Sequence, residues 1–324
     1  MAIEGIDAIT YSTDQWSQAR RFFNDWGLTE LVYGDTEQCF ETLNGTQVRV
    51  RQPHDAALPP PIEAGSTLRE VTWGVESDAD LAQLAQTLQT AKGFSANTEC
   101  VQALDPHGLS LVFQRSTKRA TTVQGAASNP YGNSQRINAP SPIYERATPV
   151  EIGHVVLFTD RLDDAVAFYQ NIGFVLSDSY PGRGVFLRCA ATAGHHDVFL
   201  LQVPGKATGL NHVAFTVRDI HEVFGGGLAM GRAGWKTQLG PGRHPISSAY
   251  FWYFENPCGG LIEYNADEDQ LTAQWQAREF TPGPTVFAEW AVDGGIDGHT
   301  RRQVSDKTAP LAVPSGAFLT EKKA

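Results

Sequence analysis

Short runs in which apolar and polar residues alternate recur along the chain, and each run predicts a β-strand with one buried face. Two of these runs, residues 153–158 (GHVVLF) and 210–215 (LNHVAF), carry a histidine near their start. After each comes a stretch whose apolar residues are three or four positions apart, as in an amphipathic helix, followed by further short strand patterns. The order predicts a unit of one strand, one helix and three more strands.

This unit is repeated. Residues 6–28 match residues 152–174 at an offset of 146, since Phe23 aligns with Tyr169. Within the second half, the run around His154 recurs around His212, an offset of 58. One unit exposes an apolar sheet face that only a second unit can cover. We therefore expect an α+β fold in which four βαβββ modules pair into two domains.

Composition suggests where the domains meet. The chain has 324 residues, which is comfortable for two domains of about 150. Residues 116–150 are rich in Ser, Asn, Pro, Gly and Thr and lack periodicity, which predicts a linker. We expect an N-terminal domain over residues 1–115, a catalytic domain over 151–280 and a C-terminal tail over 281–324.

The overall composition narrows the range of partners. A net charge of −11 argues against nucleic acid and against anionic membrane surfaces, because both require basic patches. No apolar run approaches the roughly 18 residues that span a bilayer, and the first residues lack the features of a signal peptide. Four scattered cysteines form no CxxC pair and are expected to be reduced, which indicates a cytoplasmic protein.

Three residues at strand-like positions in the second half are candidate metal ligands. They are His154, His212 and Glu263. Strand alternation places His154 on the same face as Val156, so its side chain can point to the concave side of a sheet. Two imidazoles and one carboxylate form the facial triad, which binds a redox-active metal and leaves coordination positions free for substrate and O2. The sequence therefore predicts a metal site at these three residues.

A characteristic motif ends at the third of these residues. Gly242 stands two positions before His244, Tyr253 follows, and the turn Asn256-Pro-Cys-Gly259 precedes Glu263. This order closely resembles the signature of the type I extradiol ring-cleavage dioxygenases, within the vicinal oxygen chelate (glyoxalase/bleomycin resistance/dioxygenase) superfamily. The resemblance implies half-open barrel domains built from paired βαβββ modules, in agreement with the internal repeats.

The resemblance also implies a reaction and a set of roles. The metal is expected to be Fe(II), with Mn(II) as the other possibility, and the substrates a catechol-type aromatic ring and O2. The ring would be cleaved beside its two hydroxyl groups. His196 would act as acid and base above the O2 site, and His244 and Tyr253 would hydrogen-bond the substrate oxygens. We expect His195 to lie behind the site or to face solvent. Assembly as a homo-oligomer is also expected from the resemblance.

Substrate contacts are expected from residues near this motif. Phe186 and Trp252 could contact a planar ring, although the family has an aliphatic residue or Phe where this chain has Trp252. Arg243, beside His244, could pair with a carboxylate on the substrate. These three residues do not distinguish one catechol from another.

The N-terminal half repeats the pattern of strands and helices but lacks the candidate metal ligands. Alignment of the repeats places Ala8 at the position of the first histidine ligand and Glu70 at that of the second. The position of the glutamate ligand aligns with Leu111 or Val112. We therefore expect this half to hold no complete metal site and to act as a scaffold.

Two other classes of protein are consistent with the sequence. One is a different metal enzyme of the superfamily, such as a glyoxalase-like isomerase, a thiol transferase or a 4-hydroxyphenylpyruvate dioxygenase-like enzyme. The other is a non-catalytic protein that binds an aromatic antibiotic in the same cavity. Such binding proteins generally lack the triad, so a measurement of bound metal distinguishes them from the enzymes.

Overall fold

The computed structural model describes residues 2–282 and 286–294. The elements of the first half are β1 (Ile3–Ser12), α1 (Trp16–Trp26), β2 (Thr29–Tyr33), β3 (Glu37–Glu41), β4 (Gln47–Arg51), β5 (Thr67–Val75), α2 (Asp78–Leu88), β6 (Ser95–Ala96), β7 (Cys100–Leu104) and β8 (Ser110–Arg115). Those of the second half are β9 (Glu151–Phe158), α3 (Leu162–Asn171), β10 (Val175–Tyr180), β11 (Gly184–Arg188), β12 (Ala193–Gly194), β13 (Val198–Leu201), β14 (Gly209–Thr216), α4 (Ile220–Arg232), β15 (Thr237–Arg243), β16 (Tyr250–Glu255), β17 (Leu261–Ala266), β18 (Gln270–Leu271), β19 (Arg278–Glu279) and β20 (Trp290–Gly294).

Each half forms one large sheet from two modules. The first sheet has the strand order β2-β3-β4-β1-β5-β8-β7-β6, and the second has the order β19-β10-β11-β13-β9-β14-β17-β16-β15-β20. In both sheets the first strands of the two modules pair antiparallel at the centre, β1 with β5 and β9 with β14. Four strand–helix–strand units are therefore present, and the predicted α+β fold of paired βαβββ modules is confirmed.

Helix α1 shows how the sequence fixes this arrangement. Phe22, Phe23 and Trp26 lie on one face of the helix and are buried. Gly27 ends the helix with a φ of +99°, and a Cβ at this position would lie 2.1 Å from a backbone oxygen of the connecting segment. Gly173 repeats the positive φ at the end of α3, with +105°. A glycine in the left-handed conformation explains why both repeats keep this residue.

The two halves hold each other through matching contacts. The turn after β16 reaches the first half, where the Thr13 hydroxyl donates to the Pro257 carbonyl at 2.9 Å. The turn after β7 reaches the second half, where His107 Nε2 lies 2.6 Å from the hydroxyl of Thr159. The two threonines are equivalent in the repeats, since 159 − 13 = 146. Each half therefore caps the end of the other half's first strand.

Residues 116–150 connect the sheets without forming a helix or strand. The C-terminal part of this segment packs on the molecule: Ala147 is buried, and the backbone NH of Thr148 donates to Glu222 at 2.9 Å. The sequence predicted a tail from residue 281, yet β20 pairs antiparallel with β15 and extends the second sheet. Residues 283–285 and 295–324 of the predicted tail lie outside the described residues. None of the described helices is long and apolar enough to cross a membrane.

Candidate active site

The three candidate metal ligands converge from neighbouring strands. His154 on β9 and Glu263 on β17 both pair with Ala214 on β14, two residues from His212. Glu263 Oε2 lies 3.3 Å from His154 Nε2 and 3.1 Å from His212 Nε2. The two Nε2 atoms lie 3.2 Å apart. The sheet register therefore brings three ligand atoms to one point, although the residues lie far apart in sequence.

The protonation of this cluster suits a cation. All three side chains are buried, and burial lowers the pKa of both His154 and His212, which favours neutral imidazoles. Burial alone would raise the pKa of Glu263, but the three surrounding histidines outweigh it and hold this pKa well below its usual value. Oε2 of this carboxylate is buried without a hydrogen bond of its own. A buried carboxylate oxygen facing two imidazole nitrogens fits a bound divalent metal.

The ring of His212 is oriented by its neighbour. Its Nδ1 lies 2.7 Å from the side-chain oxygen of Asn211, an atom that can only accept, so Nδ1 carries the hydrogen. The Nε2 atom then has a free lone pair directed at the cluster. Such a partner behind a metal-binding imidazole fixes the tautomer that coordination needs.

On one side of the cluster lies His196, just before β13. Its ring centroid is 4.0 Å from that of His154, and it lines the same pocket. Burial, and then the neighbouring His195, lower its pKa well below the usual value, so this imidazole is neutral. His195 is fully buried rather than solvent-facing, and its Nε2 lies 2.9 Å from Asp178. Both histidines of this pair are therefore ordered by contacts inside the protein.

His244 and Tyr253 lie together at another edge of the cluster. His244 Nδ1 donates to the Phe287 carbonyl at 2.7 Å, which leaves Nε2 to accept from the Tyr253 hydroxyl at 3.1 Å. The same Nε2 lies 3.6 Å from Glu263 Oε1. Burial, and then the nearby glutamate, raise the pKa of Tyr253 well above its usual value, so the phenol keeps its proton. The pair therefore offers a hydrogen-bond donor and a basic nitrogen beside the metal ligands.

The structure places two of the three predicted substrate contacts away from the pocket. Arg243 donates to Glu289 at 3.1 Å and to the Ser248 carbonyl at 3.2 Å, and it is absent from the pocket wall. Trp252 donates from Nε1 to Thr237 at 3.1 Å and packs on helix α4. Side chains alternate along a strand, so residue 252 must face away from the pocket that its neighbour at 253 lines.

Phe186, the remaining predicted contact, does line the pocket. Its ring stacks on that of Phe199 with centroids 3.9 Å apart and an interplanar angle of 4°. The wall also includes Val156, which shares the strand face of His154, and three residues that were not predicted: Tyr180, Ile246 and Phe287. Phe287 comes from the predicted tail, where no periodicity indicated a buried position. Apolar and aromatic side chains thus enclose the space beside the polar cluster.

The N-terminal half has no equivalent of the cluster. Ala8 and Val112 both pair with Thr72, as His154 and Glu263 pair with their common neighbour in the other half. The Glu70 carboxylate accepts from the hydroxyl of Ser110 at 2.9 Å. Among the described residues, both groups of His, Cys, Asp and Glu that are close enough to hold a metal lie in the second half.

Replacement of Glu70 by Gln is therefore expected to leave bound metal and turnover unchanged. The Gln side chain can still accept the hydroxyl hydrogen bond, so the free energy of unfolding should change by about 1 kcal/mol at most. Metal analysis after reconstitution, with circular dichroism to verify folding, checks the expectation. Loss of metal from a folded variant would mean that the N-terminal half supplies a ligand.

Comparisons with known proteins agree with this geometry. Residues 151–264 match the Glyoxalase/Bleomycin resistance protein/Dioxygenase superfamily. Metapyrocatechase 2 of Cupriavidus necator is 32% identical over 181 residues, which cover 55% of this chain and 54% of the relative. The alignment thus spans about half the length of this curated relative.

Solved structures share the fold over nearly the whole chain. A Mn(II)-bound glyoxalase from Novosphingobium aromaticivorans superposes with a TM-score of 0.71 at 22% identity, covering 91% of this chain and 93% of that one. A catechol 2,3-dioxygenase superposes with a TM-score of 0.68 at 16% identity, covering 91% and 97%. At these identities the likeness concerns the fold alone.

Proposed function

We infer from residues 151–264, which match the Glyoxalase/Bleomycin resistance protein/Dioxygenase superfamily, that this chain is an extradiol dioxygenase. It would open a catechol-type ring beside the two hydroxyl groups and use O2 as the second substrate. The observation that carries the proposal is the combination of a two-histidine, one-glutamate cluster with proton-transfer groups beside it. The similarity to metapyrocatechase 2 supports the same reaction class.

His154, His212 and Glu263 would hold the metal, Fe(II) or alternatively Mn(II), because both ions accept nitrogen and carboxylate ligands. A redox-active metal held by these residues would supply a binding point for the diol and electron transfer between the aromatic substrate and O2. The protein contributes a fixed set of ligand atoms: the neutral imidazoles and the ionised carboxylate are already within 3.3 Å of one another. Little reorganisation is needed when the ion binds.

His244 and Tyr253 would bind and activate the substrate hydroxyl groups. The lone pair of His244 Nε2 can accept a catechol proton, because Nδ1 is occupied by its hydrogen bond to Phe287. The Tyr253 phenol stays protonated and can donate to a substrate oxygen in place of its present contact with His244. Together these residues orient one edge of the ring and take up a proton.

His196 would exchange a second proton near the other edge of the pocket. Its burial keeps the imidazole neutral at working pH, so it can first accept a proton and later return it to a departing oxygen. The surrounding apolar wall limits access of water to the groups that exchange protons. Acid–base residues on two sides of the cluster are what a ring-cleavage reaction requires.

The wall also indicates the kind of catechol. Phe186, Phe199, Tyr180 and Ile246 present aromatic and aliphatic surface to the ring, and Arg243 is held by Glu289 instead of facing the pocket. An uncharged ring substituent gains from such contact, whereas an ionised carboxylate would lose its hydration without an ion pair. We propose that the substrates are catechols with hydrogen, alkyl or aryl substituents.

Anaerobic reconstitution with Fe(II), followed by O2 uptake with a panel of diols, tests this function. Catechol and methylcatechols should consume one O2 per ring and give a yellow ring-opened product. A carboxylated analogue, 3,4-dihydroxybenzoate, should show at least ~10-fold lower kcat/KM, because burial of an unpaired charge is costly. Isomerisation of a glutathione hemithioacetal without O2 uptake would favour the glyoxalase-like alternative instead.

We propose the cellular setting from the cysteines and the assembly from the family resemblance. The four cysteines are free in the structure, which is consistent with a reducing compartment such as the cytoplasm. We also propose that the protein forms a homo-oligomer, which light scattering of the purified protein measures directly.

A further inference from the structure

A line of buried polar residues leads from the surface of the second sheet to His196. It runs from Arg278 on β19 through Asp178 on β10 and His195 to the pocket. None of these contacts is needed to place the metal ligands, which lie on β9, β14 and β17. Metal binding therefore does not explain why these residues are connected by hydrogen bonds.

Its outer end is an ion pair between a buried aspartate and a partly exposed arginine. The Asp178 side chain is fully buried, and it accepts from Arg278 Nη2 at 2.6 Å and from the backbone NH of the same residue at 2.8 Å. Burial favours the neutral acid, but the hydrogen bonds from His195 and Arg278 outweigh it and hold the pKa of Asp178 below its usual value. Asp178 is therefore an ionised carboxylate that can only accept hydrogen bonds.

The carboxylate determines where His195 carries its hydrogen. His195 Nε2 lies 2.9 Å from Asp178 Oδ2, so Nε2 must be the donor. In a neutral imidazole the other nitrogen then has no hydrogen and can only accept. That nitrogen, Nδ1, lies 3.2 Å from Nδ1 of His196. The hydrogen between the two rings must therefore belong to His196.

A carboxyl group lies beside the same nitrogen. Glu268 Oε1 is 3.0 Å from Nδ1 of His196 and has no hydrogen-bond partner among the described residues. Because Nδ1 of His195 can only accept, Nδ1 of His196 is the protonated nitrogen. The other nitrogen, Nε2, keeps its lone pair and is the one available to a molecule in the pocket.

We propose that Asp178, acting through His195, is a positioning residue that fixes His196 as the Nδ1-protonated tautomer, with Nε2 ready to accept a proton. This inference rests on the proposed function. In that reaction a substrate O–H bond breaks as an Nε2–H bond forms, and His196 becomes an imidazolium whose charge Asp178 and Glu268 stabilise. The same proton later leaves Nε2 for a product oxygen, so the imidazole returns to its starting state.

Nuclear magnetic resonance tests the tautomer without any turnover. The full-length protein, labelled with 15N at histidine and loaded with diamagnetic Zn(II), should show His196 protonated at Nδ1 and unprotonated at Nε2. Comparison with His196→Gln assigns the signals. A His196 that carries its hydrogen on Nε2 would overturn the proposal, because His195 would then have to be a doubly protonated donor. This result would leave the dioxygenase proposal untouched.

Variants of His195 test whether the tautomer matters. His195→Phe keeps the Arg278–Asp178 pair, and we expect it to give a mixture of His196 tautomers. Its kcat should be about 10–100-fold lower, the loss typical of removing a residue that orients a functional side chain. The KM for catechol and the metal content should stay unchanged. His195→Gln retains a donor for Asp178 and an acceptor for His196, and should recover most of the rate.

A matched control is His221→Phe, the same change at an exposed histidine of α4. This variant should behave like the unaltered protein. If His195→Phe keeps both the tautomer and kcat of the unaltered protein, or if its whole effect falls on KM, the positioning role is wrong.

Discussion

Replacement of Glu263 by Ala is expected to leave the full-length protein without bound metal and without measurable ring cleavage. The carboxylate is the anion of the cluster, and its Oε2 is close to both imidazoles. Without it, two neutral nitrogens 3.2 Å apart face a cation with no charge to balance it. Elemental analysis after anaerobic reconstitution with Fe(II), together with O2 uptake, measures both effects.

Glu70→Gln is the control for this experiment, since it alters a half-buried glutamate that occupies the position of His212 in the other half. It should retain the metal content of the unaltered protein. His154→Ala and His212→Ala should resemble the Glu263 variant. Equal metal content in all of these proteins would contradict the assignment of the site.

Replacement of His196 by Phe is expected to separate proton transfer from substrate binding. The metal ligands and the pair His244–Tyr253 stay in place, so metal content and the anaerobic optical change on addition of catechol should persist. Turnover should fall by roughly 10²–10⁴-fold, the typical loss when a general acid–base group is removed. Stopped-flow and steady-state measurements on the same reconstituted sample give the two quantities.

The control is again His221→Phe, which should lose no activity. The neighbouring His195→Phe should lie between the two, because His195 is buried in the line of hydrogen bonds and is not exposed to solvent. Turnover of the His196 variant at the rate of the unaltered protein would assign the proton transfer to another residue.

The fold and the polar cluster could be predicted because their determinants are local and repeated. Alternation of apolar residues marked the strands around His154 and His212, and the Asn256–Gly259 turn marked the hairpin before Glu263. Each signal lies within a few residues of the feature that it specifies. The pairing of the modules then follows from the need to cover one apolar face with another.

Other features depend on contacts between distant segments. The buried position of His195 requires Asp178 on another strand and Arg278 near the end of the described chain. Phe287 reaches the pocket only because β20 pairs with β15, and its own stretch of sequence is irregular. No local pattern specifies such pairings.

The position of Trp252 outside the pocket has a different cause. It was predictable, because Tyr253 and its preceding residue lie on one strand and must face opposite sides. An aromatic residue next to a site residue in sequence is thus a poor guide to what the substrate contacts. Positions two apart, such as Phe251 and Tyr253, share a face of the strand.

The contacts between each half and a turn of the other half affect whether the chain can be cleaved or expressed in parts. A turn of the second half contacts Thr13, and a turn of the first half contacts Thr159. Each half therefore covers part of the other half's surface. The stretch around residues 120–140 joins the two halves covalently and is largely exposed. We expect it to contribute little to holding the halves together. A chain nicked there should stay assembled, whereas residues 151–280 expressed alone would lose the His107 contact that covers Thr159 at the end of β9. We therefore expect the half that holds the polar cluster to require the other half for a stable fold.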